Sequence, residues 1–126
     1  MRGNVSTAVT AGVALLLGMF VTADAATVRV RCETRGDRSK ISVDGNNLAA
    51  GSYTARATSG GVSAMSGVQP AVGDEAEFDF DSDNNQAAGT TRIGASFIKS
   101  NTVLGEILDA GGSPIASSTV GCRAKN

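Results

Sequence analysis

Histidine and tryptophan are missing from this 126-residue chain, and proline and cysteine occur only twice each. Without histidine there is no Ser-His-Asp or Cys-His catalytic arrangement, and no His-ligated zinc or haem. Charge is scarce and balanced: 11 Lys and Arg stand against 12 Asp and Glu, for a net charge of −1. That balance excludes a strongly basic nucleic-acid binder and a charge-extended disordered chain. The G-x-G-x-x-G and P-loop phosphate-binding patterns are absent. The one long apolar run, Ala11 to Val21, has 11 residues. As a helix it rises about 16 Å, against about 30 Å of hydrocarbon, so it is too short to span a membrane.

What that run does fit is an export signal. Met1-Arg2 supplies a basic start, and Ala23-Asp24-Ala25 closes the segment as a small-residue A-x-A site. Together they read as a secretory signal peptide over residues 1–25, with Ala26 as the new N-terminus. The remainder, residues 26–126, is enough for one domain with one modest core. It holds no further long apolar run, so no membrane span is expected there, and the expected location is secreted or periplasmic.

In an oxidising compartment two cysteines make one bridge by default, here Cys32 to Cys122. It closes nearly the whole domain and restricts the unfolded chain by roughly 4–5 kcal/mol in the entropy model. A reactive thiol pair and an intermolecular bridge are the competing readings. A redox motif places its thiols close together as C-x-x-C.

The dominant period after residue 25 is two. Val28, Val30 and Cys32 alternate with Arg29, Arg31 and Glu33, which is the pattern of a half-buried strand. Ile41 and Val43 mark a second strand, and Asp44-Gly45-Asn46-Asn47 reads as the turn after it. Tyr53, Ala55 and Ala57 mark a third. Ser59 to Asp74 reads as a loop, mobile or carrying a weak edge strand around Val62–Val68, with Pro70 against a central strand. In Glu75–Asp81, Ala76, Phe78 and Phe80 face in while Glu75, Glu77, Asp79 and Asp81 face out. Thr91–Phe97, Val103–Leu108 and Ile115–Arg123 complete the set, with Asp109-Ala110-Gly111-Gly112 as a hairpin turn. No segment keeps a helical period. About seven short strands indicate an all-β, single antiparallel β-sandwich, with a small barrel as the alternative. Only Tyr53, Phe78, Phe80 and Phe97 supply aromatic anchors after residue 25, so the core is thin and a bridge is in keeping.

Two segments carry a family likeness. Leu48-Ala49-Ala50-Gly51-Ser52-Tyr53-Thr54-Ala55 is similar to the turn-and-strand pattern L-x-x-G-x-Y-x-x. Leu104-Gly105-Glu106-Ile107-Leu108-Asp109-Ala110-Gly111-Gly112-Ser113-Pro114-Ile115 is similar to the hairpin G-x-V-x-D-x-x-G-x-P-V. Both resemble small extracellular β-sandwiches of the transthyretin-like, carboxypeptidase-regulatory-like type. In that family the hairpin precedes the G-x-Y strand; here it follows. The resemblance implies an Ig-like or transthyretin-like sandwich with an accessory or binding role, and carries over no catalytic residue.

The most unusual composition is acidic: Asp74, Glu75, Glu77, Asp79, Asp81 and Asp83 are six of the 12 acids within ten positions. Three readings stay open. The row is a solvated face, paired with basic neighbours such as Arg29 and Arg31, which are expected beside Glu77 and Asp79. Or Asp79, Asp81, Asp83 and Asn85 hold a calcium ion, although Asn84 stands where an EF-hand-type loop has glycine. Or Glu75, Glu77, Asp79 and Asp81 dock a basic partner. A glycosidase-like carboxylate pair needs a cleft that an open strand face lacks. Lys40, Lys99 and Lys125 serve as a base only if buried. No enzyme activity and no cofactor is expected. The functional expectation is a non-catalytic binding or structural role toward a protein or glycan partner in the envelope or outside the cell, and no nucleic acid. The alternatives are an appendage or adhesin subunit, or a small acidic-faced inhibitor of an extracellular enzyme.

Overall fold

The structure, a computed structural model, describes residues 25–125. The expected signal segment, residues 1–25, lies outside the described residues except for Ala25. Ten strands follow: β1 (Thr27–Arg35), β2 (Arg38–Asn46), β3 (Ser52–Ser59), β4 (Val62–Met65), β5 (Gln69–Pro70), β6 (Ala76–Asp81), β7 (Thr91–Arg92), β8 (Thr102–Leu108), β9 (Pro114–Gly121) and β10 (Arg123–Lys125). They form two open, mostly antiparallel sheets. One runs β9-β8-β3-β4, with β5 also on β3; the other runs β10-β1-β2-β6-β7. β9 packs over β1 and β3 over β6.

The period of two places the core between the sheets. Val30, Cys32, Ile41, Val43, Phe78 and Phe80 from one sheet meet Tyr53, Ala55, Ala57, Val103 and Ile107 from the other, all buried. Alanine and glycine fill much of the second sheet's inner face, so the sheets approach closely. A Cβ at Gly105 would lie 2.5 Å from Cγ2 of Val30, closer than any packed carbon pair tolerates. Tyr53 donates its hydroxyl to the carbonyl of Ala49 at 2.7 Å. The bond ties the turn to the strand it precedes, as tyrosine corners do in β-sandwiches.

Four boundaries differ from the sequence reading. Asp44, Gly45 and Asn46 belong to β2, and the chain turns only at Asn47, at φ 57°. Gly45 is there because its inner side faces Leu48 and Ile107, which a Cβ would approach to 3.1 and 3.2 Å. The expected strand over Thr91–Phe97 is only Thr91–Arg92. Beyond it two buried serine hydroxyls replace ladder bonds. Ser39 donates to the carbonyl of Ala95 at 2.7 Å, and Ser59 accepts from the amide of Lys99 at 2.7 Å while donating to Thr102 at 2.7 Å. Glu75 precedes β6, bridged to Val72 in a turn. The last strand is broken: β9 ends at Gly121, and β10 leaves for the other sheet, where it lies parallel to β1.

The disulfide sits at that crossing. Cys32 on β1 and Cys122 between β9 and β10 are bonded, with Cα atoms 4.8 Å apart across a separation of 90 residues. Arg123 pairs with Glu33, so the bridge occupies the position just before the new ladder begins. It fastens the end of one sheet to the edge of the other.

Candidate functional site: the charged face of the β10-β1-β2-β6-β7 sheet

Register decides what meets on the outer face of this sheet. Arg29, Asp44 and Glu77 share one row; Arg31, Ser42 and Asp79 share the next; Glu33, Lys40 and Asp81 share the third. Rows step about 4.8 Å per strand, so Arg29 and Glu77 are roughly 10 Å apart at the backbone. The expected neighbourhood of Arg29 and Arg31 with Glu77 and Asp79 is therefore right in face and row. It is one strand too close, because β2 lies between them. Arg31 reaches diagonally to Asp44 instead, at 3.0 Å, and Asp79 accepts from the Ser42 hydroxyl at 2.9 Å. Burial pushes the Asp44 carboxyl up, Arg31 opposes this, and Glu77 and Asp79 add to the rise.

Asp81 departs furthest from expectation. It shares the outward parity of Glu77 and Asp79, yet it is buried at 7% exposure. Arg38, at the start of β2, holds it with Nε to Oδ1 at 3.0 Å and Nη2 to Oδ2 at 2.6 Å. A paired guanidinium of this kind is the strong, geometrically specific form of ion pair. It holds the Asp81 carboxyl below its ordinary range. Arg38 also lies 3.4 Å from Asp83. Gln86 donates its side-chain amide to the carbonyls of Asp81 and Asp83 at 2.6 and 2.5 Å, folding the following loop against the pair.

This bears directly on the four candidate calcium ligands. Both oxygens of Asp81 face arginine, Asp79 is on the open face with Ser42, and Asp83 accepts from the amide of Asn85 at 3.0 Å. Among the described residues no three His, Cys, Asp or Glu side chains converge as a ligand set. The cation that sits among these acids is Arg38. Of the partner-facing candidates, Glu77 and Asp79 are exposed on β6, Glu75 is exposed on the preceding turn, and Asp81 is withdrawn.

The other flank of the face is basic, and the sequence reading did not single it out as a site. Beside β1 lies a groove of about 470 Å³ lined by Arg29, Arg31, Lys40 and Arg123, with Glu33 as its one acid. Glu33 is already engaged by Lys125 at 3.4 Å and Arg35 at 3.8 Å. The available signal was the outward i, i+2 pair Arg29 and Arg31, but the contribution of Arg123 requires the chain to change sheets at Cys122. A second, more apolar hollow of about 650 Å³ opens at one end of the sandwich, beside Leu48, Tyr53 and Ile115.

The backbone of both flanks is partly open. β10 pairs only with Glu33–Arg35, and β7 only with Phe80 and Asp81. Thr27–Cys32 of β1 and Ala76–Asp79 of β6 therefore have β2 as their sole described ladder partner. A free edge presents unpaired N–H and C=O groups to any incoming strand. The arrangement offers recognition chemistry: fixed charge of opposite sign on two flanks, with hydrogen-bonding backbone beside each. Among the described residues, no helix is long and apolar enough to cross a membrane. In comparisons with known proteins the chain matches no family model, no curated protein and no solved structure.

Proposed function

We propose that this chain is an exported, secreted or periplasmic β-sandwich of the Ig-like or transthyretin-like kind. In this reading it has a binding or structural role and no catalysis of its own, and its working surface is the charged face of the β10-β1-β2-β6-β7 sheet. The observation that carries the proposal is the division of that face into a basic groove at β1 and an acidic strip at Glu77 and Asp79. Edges are normally blunted by covering or by a single mixed set of charges. Here Arg29 and Arg31 mark one flank and Glu77 and Asp79 the other, and about two thirds of each edge strand is open, six of the nine residues of β1 and four of the six of β6. Segregated charge of this kind gives a surface specificity and faster encounter with a complementary partner. The bridge and the signal-like segment support the exported location.

The test places a photo-crosslinking side chain at Thr27, exposed on the open edge of β1, in the natively exported protein. A defined protein or glycan adduct is expected, and it should be lost when Arg29→Glu and Arg31→Glu are added. No adduct at Thr27, or one indifferent to those charge reversals, overturns the reading. Intact mass decides export, since a chain retaining residues 1–25 is inconsistent with it.

A further inference from the structure

We propose that the basic groove beside β1 receives an extended acidic segment of a partner protein. The segment adds to the open edge of β1 as a further strand and sets carboxylates at alternate residues beside Arg29 and Arg31. This rests on the reading of the charged face as the working surface, and it names the partner's chemistry.

Three observations point to a peptide of this kind. The first is uncompensated charge. Among the described residues, Arg29, Lys40 and Arg123 have no carboxylate at ion-pair distance. Arg31 uses Nη2 on Asp44 at 3.0 Å, and its side chain stays 58% exposed, with further N–H groups to donate. Glu33, the one acid lining the groove, already has Lys125 and Arg35. The complement the groove lacks is carboxylate, which arginine binds in its strongest hydrogen-bonded form.

The second is spacing. Arg29 and Arg31 lie two residues apart on one strand face, so their Cα atoms are about 6.5–7 Å apart. An extended peptide presents its alternate side chains at the same interval. Acids at alternate residues therefore meet both arginines in register, and opposite charges facing across neighbouring strands are favourable. In the next row Arg123 and Lys40 flank Glu33 and extend the positive field.

The third is the backbone. On its outer flank β1 is paired only at Glu33–Arg35, by β10. Cys122, with its Cα 4.8 Å from that of Cys32, stands at strand spacing beside Cys32. The stretch left for a new strand is Thr27–Arg31, five residues, and it contains both arginines. A polysaccharide or free phosphate can meet the guanidinium groups but leaves the main-chain N–H and C=O groups of that edge without strand partners. A peptide satisfies both: in strand addition, main-chain bonds supply affinity and alternate side chains supply specificity.

The test titrates the mature, disulfide-bonded chain at low salt with an end-capped synthetic peptide of alternating Glu and Thr, read by calorimetry and by amide exchange. Binding is expected, with new protection at those amides of Thr27–Arg31 that point away from β2. Arg29→Glu with Arg31→Glu should weaken binding about tenfold or more, and added salt should weaken it in the wild-type chain. A peptide of the same composition with its Glu residues in one block should bind more weakly. No binding, equal binding of the block peptide, or binding without new protection overturns the proposal. Polygalacturonate bound as tightly as the alternating peptide makes the groove a general anion site and overturns it too. Should the charge-reversed chain fail to fold, the two peptides and the exchange measurements on the wild-type chain still decide. A Thr27 adduct to a glycan, or to a protein segment without acidic residues, removes the acidic-peptide proposal alone; the absence of any adduct removes the binding reading as well.

Discussion

Arg38 and Asp81 are 43 residues apart in the chain and joined by two hydrogen bonds of 3.0 and 2.6 Å. The pair ties the start of β2 to the end of β6 at the point where β6 runs into the 82–90 loop. Removing Arg38 takes the hydrogen-bonded cation from a buried carboxylate and leaves it only the more distant charge of Lys40. Arg38→Gln should therefore lower the midpoint of urea unfolding. Asp81→Asn should lower it by a similar amount, and the double variant by less than the sum. Strict additivity would mean that the two side chains act independently.

Acid should find the same pair. Hydrogen bonds from Arg38 hold Asp81 below the ordinary carboxylate range, and Arg56 does the same for Glu106 at 2.7 and 3.0 Å. Groups with lowered native values contribute stability that is complete above the unfolded value, roughly pH 4, and is lost as pH falls through the native value. Asp44 acts in the opposite sense. Burial raises it, so its protonation on the way down relieves part of the loss. Unfolding midpoints measured from pH 7 to pH 2 should fall below about pH 4, and the fall should be shallower in Arg38→Gln. An acid limb unchanged by that substitution would exclude Asp81 as a source.

The resident guanidinium also sets an expectation for metal. A calcium ion at Asp79, Asp81, Asp83 and Asn85 would have to displace Arg38 from both oxygens of Asp81. Millimolar calcium should leave the melting temperature unchanged. A rise of several degrees that disappears in Asp81→Asn with Asp83→Asn would establish a site instead.

Much of this fold was legible because strand alternation is a local signal. Val28–Glu33 and Ala76–Asp79 face as their parity requires, and two cysteines leave one intramolecular pairing. What stayed hidden depends on distant partners. Parity puts Asp81 outside; Arg38 and the Asp83 amide bind its carboxylate, and Gln86 folds the following loop against it. The alternation of Thr91, Ile93, Ala95 and Phe97 imitates a strand, but the Ala95 carbonyl accepts from the Ser39 hydroxyl and the Phe97 amide donates to Gly94 in a turn. Arg29 and Arg31 were visible as a pair, yet the groove beside them exists only because β10 crosses to the other sheet.

That crossing makes the bridge act locally as well as globally. β10 holds to β1 through three residue pairs, immediately after Cys122. Replacing Cys32 and Cys122 by Ser should lower stability by about 2–5 kcal/mol. Amides of Arg123–Lys125 should lose their exchange protection first, with β1, β2 and β6 retaining theirs. Uniform loss across the sheet would show that the bridge acts on the unfolded chain alone.

At Gly105 the two sheets approach too closely to admit a side chain. The missing side chain of Gly105 leaves room for Val30 and Val43, whose methyls would stand 2.5 to 3.2 Å from a Cβ. Both valines are buried in the middle of the opposite sheet and cannot swing out to solvent. Gly105→Ala, although it adds only one methyl group, should therefore cost about 1–3 kcal/mol by overpacking. The usual benefit of alanine over glycine in the unfolded chain, about 0.4–1 kcal/mol, offsets only part of this. Val30→Ala opens a cavity and is itself destabilising, but it removes the methyls nearest the new Cβ. The double variant Gly105→Ala, Val30→Ala should be more stable than the sum of the single losses predicts. Thermal unfolding of the four chains measures the coupling. If it is zero, the sheets separate slightly to admit the methyl, and the contact at Gly105 is not what sets their spacing.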